Sequence, residues 1–187
     1  MKIISTIFLL LIVFTKPVYA NELQEGINAY NKGKYTEALK KFKHLAKKGN
    51  PIAQYNLGKM YGKGQGVPED FKEAVKWSKL SAEQGYEKGQ YNLGVFYARG
   101  WGVNQSYEKA IKWWTLAANQ GNVYSQFDLG ETYNHGQGVA VDLVEAHKWF
   151  SLAGASHQRM KVEDKMSHPQ IQRSKQLAAE WLQKHGK

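Results

Sequence analysis

Three consecutive blocks of 36 residues, opening at Pro51, Glu87 and Val123, align without a gap. In phase run Gln54, Gln90 and Gln126; Leu57, Leu93 and Leu129; Gly58, Gly94 and Gly130; Gly66, Gly102 and Gly138; and Trp77, Trp113 and Trp149. A unit of this length cannot bury an apolar face on its own, so consecutive units must stack and share one continuous core. The chain is therefore restricted to solenoid-like arrays.

Inside a unit the apolar spacing is helical twice. Ala53, Leu57 and Tyr61 fall at i, i+4 and i+8, and Ala74, Trp77, Ser78 and Ser81 fall at i, i+3, i+4 and i+7, which predicts two helices per unit and an all-α solenoid. The Gly-x-Gly-Val segment between them supplies positive-φ residues to end the first helix, and Asp70, Ser106 and Asp142 stand where the second helix needs an N-cap. Gly58, Gly94 and Gly130 fall inside the first helix, where glycine costs about 1 kcal/mol relative to alanine. Keeping that cost in three units predicts close helix approach, with the Trp of the second helix over each missing side chain.

The period weakens towards both ends. Gly26, Tyr30, Gly33, Tyr35, Ala38, Phe42 and Ala46 outline a shortened unit over residues 21–50, expected to cap the amino-terminal side. Units at 51–86, 87–122 and 123–158 follow. Register is lost after His157, and residues 159–187 are read as carboxy-terminal capping helices, with Ser167 and Gln170 forming a capping box. Ile171, Leu177, Ala178, Trp181 and Leu182 provide the apolar stripe of the last one.

The unit Ala-x-Tyr-x-Leu-Gly-x-x-Tyr, Gly-x-Gly-Val, Asp, Ala-x-x-Trp, Ala-Ala-x-x-Gly resembles the Sel-one-like repeat (SLR), a relative of the tetratricopeptide repeat with a longer turn. The fullest copy is QYNLGVFYARGWGVNQSYEKAIKWWTLAANQG, from Gln90 to Gly121. The resemblance covers residues 51–158 and part of 21–50, and departs at Gly89, Ser125, Ser106, Gly154 and His157. It implies an α-solenoid adaptor that binds protein partners.

Residues 1–20 open with Met1-Lys2, continue with an apolar run from Ile3 to Phe14 broken only by Ser5 and Thr6, and end at Pro17-Val18-Tyr19-Ala20, the pattern of a signal peptide cleaved after Ala20. The run is too short for the roughly 20 residues of a membrane span, so none is expected in the mature chain. The sequence holds 26 Lys and Arg against 16 Asp and Glu, and loss of Lys2 and Lys16 leaves a net charge of +8. For an exported protein that excess points away from nucleic acid and towards acidic proteins or an anionic envelope component. Lys40, Lys41, Lys43, Lys47 and Lys48 concentrate it on one helix, opposite Leu39, Phe42, Leu45 and Ala46. That helix reads as a cap, with a membrane-surface role as the competing reading.

No catalytic, cofactor or metal site is expected. The chain has no cysteine, its six histidines show no His-Glu-x-x-His pattern, and they read as solvated. Ser106 and Lys109 match Ser-x-x-Lys, the nucleophile motif of penicillin-recognising enzymes, yet Ser-Asp-Asn and Lys-Thr-Gly are missing. They support the contrasting reading, an envelope protein that binds or hydrolyses cell-wall or β-lactam ligands.

The principal reading is an exported non-catalytic adaptor for protein–protein interaction in the bacterial envelope or outside the cell. Its groove is expected on the first helices, at positions not needed by the Leu57 and Tyr61 phases. These are Asn56, Lys59 and Lys63, then Asn92, Val95, Phe96 and Arg99, then Asp128, Glu131 and His135. Their charge runs from basic to acidic, which suits an extended peptide, with Phe96 as anchor and Arg99 fixing a carboxylate. Phe96 and Trp101 stand out because the other units carry Met60 and Thr132, and Gln65 and Gln137, in their places.

Overall fold

The computed structural model describes residues 20–186, and the expected signal-peptide pattern over residues 1–20 lies almost wholly outside the described residues. Among the described residues there are ten helices and no strand. They are α1 (20–31), α2 (Tyr35–Lys47), α3 (Pro51–Gly62), α4 (Phe71–Glu83), α5 (Glu87–Arg99), α6 (Tyr107–Ala118), α7 (Val123–His135), α8 (Leu143–Leu152), α9 (Ser156–Glu163) and α10 (His168–His185). Helices α3 and α4, α5 and α6, and α7 and α8 pair as antiparallel hairpins, and each second helix packs on the first helix of the next pair. Helices α3 and α5 also touch directly, which makes the first helices the inner row of the stack.

The second helices start where the sequence places their caps. The Asp70 carboxylate accepts from the Lys72 and Glu73 N–H groups, Ser106 from Lys109, and Asp142 from Val144 and Glu145. Leu57, Leu93 and Leu129, with Ala74, Ala110 and Ala146, are fully buried and form the repeating core. The in-phase glutamines hold the units together. The side-chain amides of Gln54, Gln90 and Gln126 each donate to the carbonyl of the alanine eight residues earlier, at the end of the preceding unit. The Gln54 and Gln90 oxygens in turn accept from Gln84 and Gln120 at 2.6 and 2.8 Å. Each glutamine thus adds a second donor to a helix-end carbonyl that already accepts the N–H of the turn glycine three residues on, Gly49, Gly85 or Gly121.

The helical glycines are sites of close approach, but the covering side chain is the one after the in-phase Trp. A Cβ on Gly94 would overlap the Trp114 ring, one on Gly130 would lie 2.6 Å from Phe150 Cδ1, and one on Gly58 would overlap the Ser78 hydroxyl. Trp77 and Trp113 are only half-buried, because a residue one step along a helix points about 100° away from the crossing. The turn glycines Gly66, Gly102 and Gly138 have φ near +70° and seat on Tyr35, Phe71 and Tyr107, which open the second helix of the preceding unit.

At the amino-terminal end Leu39, Phe42, Leu45 and Ala46 are buried against α3, and Lys41 pairs with Glu25, so the apolar face of the basic helix is covered by protein. At the other end α10 packs on α8. The capping box forms, but the buried residues of α10 are Ser174 and Ala178, whereas Leu182 is 54% exposed. His147 is fully buried, contrary to the solvated reading. Its Nδ1 lies 2.7 Å from Ser174 Oγ and its Nε2 2.7 Å from Glu163 Oε1, tying α8 to α9 and α10.

Candidate groove on the first helices

Two clefts lie side by side on the inner row. The first, about 200 Å³, is lined by Gly58, Lys59, Gly62, Lys63, Phe71, Asn92, Val95, Phe96 and Trp101. The second, about 370 Å³, is lined by Tyr91, Val95, Ala98, Arg99, Tyr107, Trp114, Asp128, Glu131, Thr132 and Gln137. Adding 36 to Lys59, Gly62, Lys63, Phe71, Asn92, Val95, Phe96 and Trp101 gives Val95, Ala98, Arg99, Tyr107, Asp128, Glu131, Thr132 and Gln137. They are one inter-unit cleft made twice, with different chemistry each time. Val95 belongs to both.

The first cleft is apolar and basic. Trp101, 45% exposed, stacks on Phe71 with ring centroids 5.2 Å apart, and Phe71 meets Phe96 edge-on at 6.5 Å. The Lys59 ammonium stands 4.3 Å from the centre of the Tyr30 ring. Burial, reinforced by Lys63 and Lys88, holds it below the usual lysine range. No carboxylate lines this cleft, whereas Lys41, Lys76 and Lys148 elsewhere each pair with a glutamate.

The second cleft is polar. Burial pushes the Asp128 carboxyl up to about 6, against the opposing pull of Arg99, while Glu131 adds to the rise and a hydrogen bond from Tyr91 lowers it. The Tyr91 hydroxyl is pushed up to about 12, chiefly by burial. His135, on the rim, approaches Glu131 at 3.4 Å.

Eight of the ten expected positions, Lys59, Lys63, Asn92, Val95, Arg99, Asp128, Glu131 and His135, are half-buried or exposed on this row. Two are corrected. Phe96 is only 7% exposed and forms the floor of the first cleft, because it follows Leu93 by three residues and so shares its core-facing stripe. Asn56 is 8% exposed and donates its amide to the Ile52 carbonyl at 2.8 Å. The residue missed for the groove is Trp101, which the sequence had marked as out of phase without placing it there. At Ser106 the hydroxyl accepts the Lys109 backbone N–H at 3.2 Å, and the Lys109 ammonium lies over the Tyr97 ring at 5.3 Å. No cluster of three or more His, Asp or Glu side chains that could hold a metal occurs among the described residues. None of the described helices is long and apolar enough to cross a membrane.

The Sel1 repeat family model matches residues 51–86, 88–122, 123–156 and 167–184. No curated protein matches the chain. Among solved structures, a Sel1 repeat protein from Oxalobacter formigenes is similar at 32% identity and a TM-score of 0.67, over 71% of this chain and 55% of that one. The protective antigen c5321 of uropathogenic Escherichia coli strains, which displays an SLR fold, is similar at 26% identity and a TM-score of 0.62, over 89% of this chain and 46% of that one. The chain spans about half the length of these two proteins.

Proposed function

Because the chain belongs to the Sel1 repeat family, whose helical repeats mediate protein–protein interaction, we propose that it is an exported, non-catalytic adaptor holding an extended segment of a protein partner along α3, α5 and α7. The observation that carries this reading is the pair of equivalent clefts meeting at Val95, since a groove with a repeated site along one direction suits an extended chain better than a compact ligand. Export rests on the Lys2-to-Ala20 pattern. The non-catalytic assignment is supported by Ser106, whose hydroxyl serves as the cap of α6.

Filling the shared wall tests the groove. Val95→Arg should lower capture of a native partner at least about tenfold, roughly 1.4 kcal/mol, with circular dichroism unchanged. The same loss from Lys112→Glu, on the second-helix side, would refute the assignment. Intact mass separates the other two points: the exported protein should begin at Asn21, and incubation with a penicillin should add no mass.

A further inference from the structure

We infer that the first cleft receives one large apolar side chain of the partner and that Lys59, Lys63 and Lys88 receive acidic residues beside it, so that the partner segment is an acidic peptide with an aromatic or large aliphatic anchor. This rests on the extended-peptide reading and specifies its chemistry.

Three observations lead there. A volume of about 200 Å³ falls below the roughly 300 to 1,000 Å³ of small-molecule sites and suits a single side chain. Its walls are Phe71, Phe96, Val95 and Trp101, and an exposed Trp held flat by a stacked neighbour presents a rigid apolar surface, the residue type that dominates binding hot spots. The charge around it is one-sided. Lys59 is half-buried beside two further lysines, and no carboxylate lies within ion-pair distance of any of the three among the described residues. Half-burying a cation among like charges is unfavourable in the free protein, and an incoming carboxylate relieves it. The equivalent cleft one unit on replaces Lys59, Trp101 and Phe96 with Val95, Gln137 and Thr132, so the apolar-basic combination belongs to the first cleft and is not demanded by the repeat.

The test uses the chain from residue 21 and fluorescein-labelled twelve-residue peptides read by fluorescence polarisation. One set carries a central Phe or Leu flanked by Glu and Asp, a second has the same centre flanked by Lys, and a third is acidic with Ser at the centre. The acidic set with the apolar centre should bind at least about tenfold more tightly than either other set. Lys59→Glu with Lys63→Glu should reverse the preference towards Lys flanks. If that pair fails to fold, Lys63→Glu with Lys88→Glu, both at exposed positions, should narrow it at least about threefold. Trp101→Ala should weaken anchored peptides and leave the flank preference intact. Equal binding of acidic and basic sets, still blocked by Val95→Arg, overturns this inference and leaves the extended-peptide reading standing. If no peptide set is affected by Val95→Arg, that reading fails as well. Lysine-dependent binding to phosphatidylglycerol vesicles, with no dependence on a peptide anchor, overturns the peptide assignment in favour of a lipid surface.

Discussion

Replacing Gly94 with alanine opposes two effects that the three units weigh differently. Alanine gains about 1 kcal/mol of helix propensity over glycine. At Gly94 the added methyl overlaps Cδ1 and Nε1 of Trp114, a side chain 4% exposed whose fused ring can yield only by moving as a whole. Overpacking of this kind costs about 1 to 3 kcal/mol, and a rigid partner places it near the top, leaving a net loss of about 1 to 2 kcal/mol. At Gly58 the obstacle is the Ser78 hydroxyl, which has no hydrogen-bond partner and can rotate; the next contacts are the Ala74 carbonyl at 3.1 Å and the Ser78 nitrogen at 3.3 Å. There the two effects nearly cancel. Gly130→Ala, against Phe150, should fall between them. For a protein of this size 1 kcal/mol moves the melting temperature by about 2 to 4 °C, so Gly94→Ala should melt about 2 to 8 °C below the parent and Gly58→Ala within about 2 °C of it. Thermal denaturation followed at 222 nm reads the series. A Gly94→Ala protein melting at or above the parent, or a Gly58→Ala protein melting lowest, would refute the packing argument.

Other outcomes follow from the same contacts. Asp128 titrates near 6 when folded and near 3.8 when unfolded, so its contribution is favourable below 3.8 and lost as pH rises through 6; Asp128→Asn should raise stability by about 1 to 3 kcal/mol at pH 7 and change nothing at pH 3.5, in parallel urea titrations. His147→Ala should cost about 2 to 4 kcal/mol, since it empties a buried site and unpartners Ser174, and hydrogen exchange should show lost protection in α9 and α10 before α3 to α6. Glu163 is held below 4.5, first by its hydrogen bond with His147, so its share of the α9 attachment is present above pH 4.5 and lost as pH falls through the folded value; proteolysis of the α9–α10 end should accelerate there. Deleting residues 167–187 uncovers the α8 surface and should produce a soluble-expression defect, read as oligomer by size-exclusion chromatography.

How far the sequence reached is clearest at Phe96 and His147. The repeat made the helices, caps and crossings readable, because three copies of Leu57, Gly58 and Asp70 report the same requirement. Assigning a face to the variable positions was harder. Phe96 differs from Met60 and Thr132, and that variation looks like surface freedom, yet all three are buried; between the two clefts the volume changes from about 200 to about 370 Å³ as the floor changes from Phe96 to Thr132. Trp101 carried the opposite signal, an exposed turn residue made part of the groove by stacking on Phe71 thirty residues earlier. His147 was unreadable because its partners, Glu163 and Ser174, lie beyond the point where the repeat loses register.

The glutamine rungs make the boundary between units a matter of phase. Gln90 reaches back to Ala82 and Gln126 reaches back to Ala118, so residues 87–122 carry one half of two joints, and the neighbouring blocks carry the matching halves. Removing or doubling that block in frame leaves every joint with a correct partner, whereas any change of another length misaligns all joints on one side of it. Groove length can thus change in whole steps, one cleft at a time, without redesign of the interior. A lineage using this module can lengthen its row of clefts by copying a segment of its own gene, and then retune the new cleft at the positions of Lys59, Phe96 and Trp101.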